Sequence, residues 1–137
     1  MMHAHNRAAQ YRAVRSHGLV ADASPTRLVQ IMFETVLSHL ATARGCMERI
    51  RDNRPVHEVL SKGTAISKAI ALVGQLNGTL DMERGGEVAE NLRALYVYMM
   101  NRLTLANLNN DGAMVAEISG LVAQIKSSWD KIVADGR

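Results

Sequence analysis

LDMERGGEVAENLRALYVYM, running from Leu80 to Met99, joins two apolar runs through a polar turn built around Gly85 and Gly86. ISKAIALVGQLNGTL precedes it and NRLTLANLNND follows it, and in both flanks the apolar residues recur at three- and four-residue steps, the mark of amphipathic helices. The segment from Asp81 to Gly85 continues neither stripe. The paired glycines supply the backbone freedom for a reversal, after which Glu87 favours a new helix N-terminus. A helix opened by Pro55 therefore runs to about Leu80, with a stripe of Val59, Gly63, Ile66, Ile70, Val73 and Leu80. The helix after the turn carries Val88, Leu92, Leu95, Met99, Leu103 and Ala106.

Working outward, Ser24-Pro25 is a helix start: Ser caps free amides, and Pro suits the first helical position. Leu28, Met32, Val36, Leu40, Ala43, Met47 and Ile50 then mark one face to about Arg51, and Asp52, Asn53 and Arg54 form the turn. At the other end, Asn107 to Gly112 breaks the third helix, and Asp111 caps a fourth presenting Val115, Ile118, Val122, Ile125, Trp129 and Ile132. Short connections between four helices predict an all-α, antiparallel up-and-down four-helix bundle over residues 24–137. Residues 1–23, rich in His, Arg and Ala and anchored by Tyr11, Val14, Leu19 and Val20, predict an N-terminal arm, mobile or docked.

Hydrophobic residues make up 47% of the 137 but aromatics only 4%, so the core is aliphatic and one domain is expected. No window approaches the roughly 18 consecutive apolar residues of a membrane span, and the first residues lack the apolar region of a secretion signal, which predicts a cytoplasmic protein without membrane insertion. The net charge of +3 is spread among acids, with few and separated aromatics, which argues against a nucleic-acid surface. Cys46 has no partner at ligand spacing and reads as a buried thiol. HEVLS at His57 places Ser61 where a zinc-protease helix needs its second His, and Gly85-Gly86 lacks the Lys-Ser/Thr of a phosphate loop. No cofactor, metal or catalytic activity is expected.

A bundle helix needs about three of seven positions apolar. The second helix exceeds this with Leu60, Ala65, Ala69, Ala71, Leu72 and Leu76, and the third adds Ala89, Tyr96, Val97 and Leu105. Small residues such as Gly63, Ala69 and Gly74 let another backbone approach, either a neighbouring helix of the bundle or a segment from another chain.

Taken together, LDMERGGEVAENL, LYVYM, RLTLAN, ASPTRLVQIMFE from Ala23 and EISGLVAQIKSSW ending at Trp129 resemble the FliS family of flagellin export chaperones. The resemblance implies a binding protein, not an enzyme. It implies that the disordered C-terminal segment of flagellin is the client, that premature polymerisation is prevented, and that the client is delivered to the flagellar type III export apparatus, whose export gate is a second expected partner. On this chain the implied contact surface is Ile66, Ala69, Ile70, Val73, Leu76 and Leu80 with Asn91, Leu92, Leu95, Tyr96 and Met99. The arm around Tyr11 and Val14 is expected to dock over an apolar pocket in the free protein. An alternative from another class is a bundle that self-associates, for example as a homodimer, or binds a regulatory partner through the same surface.

Overall fold

The computed structural model describes residues 24–53 and 56–136, and every described element is helical: α1 (Pro25–Asn53), α2 (Val56–Gly78), α3 (Met82–Asn109) and α4 (Gly112–Asp135). The helices pack antiparallel, with α1 lying against both α2 and α4 and α3 closing the bundle against α2 and, more sparingly, α4. One end thus gathers the start of α1, the end of α2, the start of α3 and the end of α4.

Local chemistry accounts for the boundaries. Ser24 Oγ accepts from the Arg27 amide at 3.2 Å, and Pro25 takes the first helical position, where a missing N–H costs nothing. Pro55, expected to open α2, lies outside the described residues. Thr79 ends α2: its amide donates to the Gln75 and Leu76 carbonyls, and its hydroxyl donates to Leu76 O at 2.7 Å. The Asp81 carboxylate then accepts from the Arg84 amide at 3.0 Å and caps α3. Asn110, in the left-handed conformation with φ 52°, ends α3, and Asp111 accepts from the Met114 amide at 3.1 Å to open α4.

The glycine pair acts differently from the sequence expectation. The reversal falls at Thr79 to Asp81, because a hydroxyl closure and an Asp cap already supply a complete helix end and start. Gly85 and Gly86 instead kink α3 after its first turn. Gly86 sits at φ 52°, ψ −129°, and a Cβ on Gly85 would lie 2.6 Å from the Ala89 Cβ. Gly86→Ala should therefore lower stability by about 1–3 kcal/mol. Gly120→Ala, in a helix interior with nothing within 4 Å of the added Cβ, should raise it by about 0.5–1 kcal/mol. Denaturant unfolding of the two variants checks the opposite signs.

The closed core is aliphatic as expected, with Met32, Val36, Leu40, Ala43 and Met47 of α1 facing Ile66, Ala69 and Val73 of α2, Met99, Leu103 and Ala106 of α3, and Val115, Ile118 and Val122 of α4. The buried line of α2 is rotated from the expected stripe. Val59 is exposed and Gly63 and Ile70 are half-buried, whereas Lys62, Ala65, Ile66, Ala69, Val73 and Leu76 face inward. Lys62 accounts for the rotation: its Nζ donates to Asn107 O at 2.8 Å and approaches Asn110 Oδ1 at 3.5 Å, so a cation sits at the negative C-terminus of α3. Asn110 in turn donates from Nδ2 to Met47 O at 3.3 Å, tying that end of the bundle together.

At the opposite end the described residues do not close the core. The stripes of α3 and α4 run on past the buried layers through Val88, Leu92, Ile125, Trp129 and Ile132, which are half-buried or exposed. No helix among the described residues is long and apolar enough to cross a membrane.

Candidate functional site

The unclosed end holds a cavity of about 250 Å³. Val29 and Phe33 of α1, Leu76 of α2, Thr79, Leu80 and Asp81 of the turn, Gly85, Val88, Ala89, Leu92 and Tyr96 of α3, and Ile125 and Trp129 of α4 line it. A second hollow of about 420 Å³ adjoins it, lined by Pro25, Thr26, Leu28, Val29, Thr79 and Trp129. Val29, Thr79 and Trp129 belong to both, so Trp129 forms part of the partition. The indole is fixed from two sides. Its N–H donates to Thr26 O at 2.8 Å, and its ring lies 6.5 Å from that of Phe33 at 60°.

A polar strap on the outside of α1 and α4 holds this wall. Gln30 Nε2 donates to Asp130 Oδ1 at 2.6 Å, Lys126 pairs with Asp130 at 2.8 Å, and Arg27 reaches both Gln30 and Glu34. The hydrogen bonds from Gln30 and then Lys126 hold the Asp130 carboxyl below its ordinary range. Inside, the environment is the opposite: burial pushes the Tyr96 phenol up to about 12.

A second concave surface lies along the outside of α2, opposite the open end. It encloses about 540 Å³ between Val59, Leu60, Gly63, Thr64, Ser67, Lys68 and Ala71 of α2 and Asn107 of α3. Gly63 leaves its floor bare, since nothing lies within 4 Å of where a Cβ would be. Further along the same helix pair, Gly74 admits the Met100 sulfur to 3.7 Å of its Cβ position. Val56, Leu60 and Leu108, on the ends of α2 and α3 nearest this groove, are 74%, 67% and 76% exposed, more apolar surface than single scattered residues present.

The residues singled out in the sequence divide into groups. Leu76, Leu80, Leu92 and Tyr96 come together in the end cavity. Ile66, Ala69, Val73 and Met99 lie in the closed core, and Ile70 and Leu95 are half-buried against it. Asn91 is exposed. Tyr11 and Val14 lie outside the described residues. The sequence reading missed Val29, Phe33, Ile125 and Trp129 as cavity walls, because they come from α1 and α4: Ile125 and Trp129 read as ordinary stripe residues, and Val29 and Phe33 lie beside the stripe assigned to α1. In the α2 groove, Leu60 and Ala71 were visible as apolar excess, while Thr64 and Ser67 carried no signal.

Nothing in the described side chains assembles reactive chemistry. His57 is exposed beside Glu58 at 3.7 Å, and Arg49 holds that carboxylate at 2.6 Å. Cys46 is buried as anticipated, and burial, followed by its hydrogen bond with Glu58, pushes its thiol up. No three His, Cys, Asp or Glu side chains converge among the described residues.

A family model described as flagellar protein FliS matches residues 7–136. The flagellar secretion chaperone FliSB of Pseudomonas aeruginosa is 45% identical over 123 residues, covering 90% of this chain and 92% of that protein. The flagellar secretion chaperone FliS of Salmonella typhimurium is 39% identical over 123 residues, 89% of this chain and 86% of that one. FliS of Bacillus subtilis, at 28% identity, still aligns over 86% of the chain and 82% of its own length.

Proposed function

The chain belongs to the FliS family, and on that premise we propose that it is a cytoplasmic flagellar secretion chaperone, without enzymatic activity, that binds the disordered C-terminal segment of flagellin. The observation that carries the reading is an apolar end cavity, about 250 Å³ and walled by all four helices, which the described residues leave open beside the core. A disordered segment loses conformational freedom when it binds, so it needs a long apolar track to offset that loss. The cavity and the α2 groove together provide such a track, and neither demands chemistry from the client. Occupancy alone blocks polymerisation, and release needs no broken covalent bond.

Leu76, Leu80, Leu92 and Tyr96 are assigned to the client's contact in the cavity, and Val59, Leu60 and Ala71 to its contact along α2. The groove side favours a helical client. Helix backbones offer no free ladder groups, so an extended strand there would leave its own amides unpaired, whereas a helix satisfies them internally and buries one face. The arm residues Tyr11 and Val14 are assigned to the same apolar end in the free protein, to be displaced by flagellin. The chaperone–flagellin complex is the form we assign to the export gate.

Affinity-tagged chain incubated with intact flagellin, and with flagellin lacking its C-terminal segment, tests the assignment. Retention of the intact client alone is the expected result. Equal retention of both removes the C-terminal segment from the reading, and a stable homodimer that refuses flagellin in light scattering removes the chaperone role.

A further inference from the structure

Four side chains lining the end cavity carry polar groups, and three of them are already committed. The Thr79 hydroxyl donates to Leu76 O, the Asp81 carboxylate caps α3 through the Arg84 amide, and the Trp129 N–H donates to Thr26 O. Tyr96 is the fourth, and among the described residues its hydroxyl has no hydrogen-bond partner although the side chain is only 4% exposed. The contrast with the next tyrosine on the same helix is direct. Tyr98 is 39% exposed, and its hydroxyl is bound to Glu117 of α4, with Arg102 over its ring at 5.8 Å.

The hydroxyl is not among the fully enclosed unpaired polar atoms, so it stays within reach of solvent, and since it makes no bond to the bundle, Phe would serve the free chain about as well as Tyr. The hydroxyl gains a use only when something enters the cavity. Burial keeps the phenol protonated across the physiological range, so it presents a donor and not a charge. The complementary group is an acceptor carried by an otherwise apolar segment. A main-chain carbonyl fits if it is not already used within a helix, as at an irregular position or in a helix's last turn.

We infer that the Tyr96 hydroxyl is the specificity-determining donor of the end cavity, fixing the register of the flagellin C-terminal segment by donating to one of its free main-chain carbonyls. This rests on the proposed chaperone function. Flagellin is the occupant because the chain belongs to the FliS family and this cavity is an apolar site walled by all four helices.

Tyr96→Phe in the full chain, titrated with the flagellin C-terminal segment by calorimetry, tests the inference. Affinity should fall about tenfold, since a client carbonyl is left buried and unpaired, while the melting temperature of the free variant stays equal or rises. Tyr98→Phe is the internal control and should leave flagellin affinity unchanged. Unaltered or tighter binding by Tyr96→Phe overturns the donor role, as does a fall in melting temperature that accounts for the lost affinity. Absence of binding by the unsubstituted chain would instead overturn the chaperone reading on which the inference stands.

Discussion

Leu92→Asp is expected to abolish flagellin binding while leaving a folded bundle. Leu92 is half-buried, packs on the core and lines the end cavity, whose described walls contain no cationic side chain. The substitution removes apolar surface worth about 1.5–3 kcal/mol when fully buried and introduces a carboxylate into the same space. Asp81, in the same lining, adds a like charge. Both desolvation and repulsion raise the new carboxyl above its ordinary value of about 3.9. A carboxyl raised in the folded state destabilises fully above its folded pKa, so the variant should recover stability relative to the parent as pH falls through that value. Above it, a client side chain must share the cavity with a charge, and affinity should drop more than a hundredfold. Leu92→Ala, which removes packing alone, should cost about tenfold. Circular dichroism at neutral pH separates lost binding from lost fold. Native helicity with undiminished affinity would exclude the cavity from the client's track.

Where structure follows from neighbouring residues, the sequence was readable. Ser24-Pro25 and Asp111 open helices as expected because a cap satisfies amides two or three positions away. The glycine pair was harder. A glycine declares freedom without saying how it is used, and the reversal passed to Thr79 and Asp81, whose side chains close one helix and open the next. The phase of α2 was harder still. Small and apolar residues surround that helix on most sides, so its periodicity is weak, and the decisive residue is a lysine that reads as exposed. Lys62 turns inward only because Asn107 O, far along the chain, meets it there.

The same logic explains the uneven reading of the site. Periodicity finds the most apolar face of a helix, and in a bundle that face belongs to the core. Ile66, Ala69, Val73 and Met99, implied as contacts by the family resemblance, are enclosed by the bundle's own helices. A binding surface is the second most apolar face, legible only as excess, as Leu60 and Ala71 were. The end cavity adds a condition that no single helix carries: the stripes of α3 and α4 must outrun the layers that cover them, which depends on where all four helices end.

Phe33→Ala should be the most damaging single truncation at the boundary between core and cavity. Phe33 is 2% exposed, supplies the floor beneath Trp129 and is the only phenylalanine in the chain. Removing its ring should cost about 3–5 kcal/mol in lost transfer and residual cavity. The tilted contact with Trp129 adds specificity that Leu cannot restore. Against a typical total of about 5–15 kcal/mol this is a large share, equivalent to roughly 10–20 °C in melting temperature for a chain of this size. Because Trp129 is the sole tryptophan, its emission reports the same wall, and a red shift in the folded variant is expected. Phe33→Leu, closer in volume, should lose less than about 1.5 kcal/mol. A drop below 3 °C for Phe33→Ala would mean that the walls collapse onto the space and that the cavity is not a held shape. The loss also offers a link to function. Flagellin segment at a hundred times its dissociation constant for the variant should return about 2.7 kcal/mol, since a ligand that binds only the folded state stabilises it by mass action. Recovery with the Trp129 emission moving back to the blue would place the segment against the wall that Phe33 supports, because binding confined to the α2 groove would restore stability and leave the indole's surroundings unchanged.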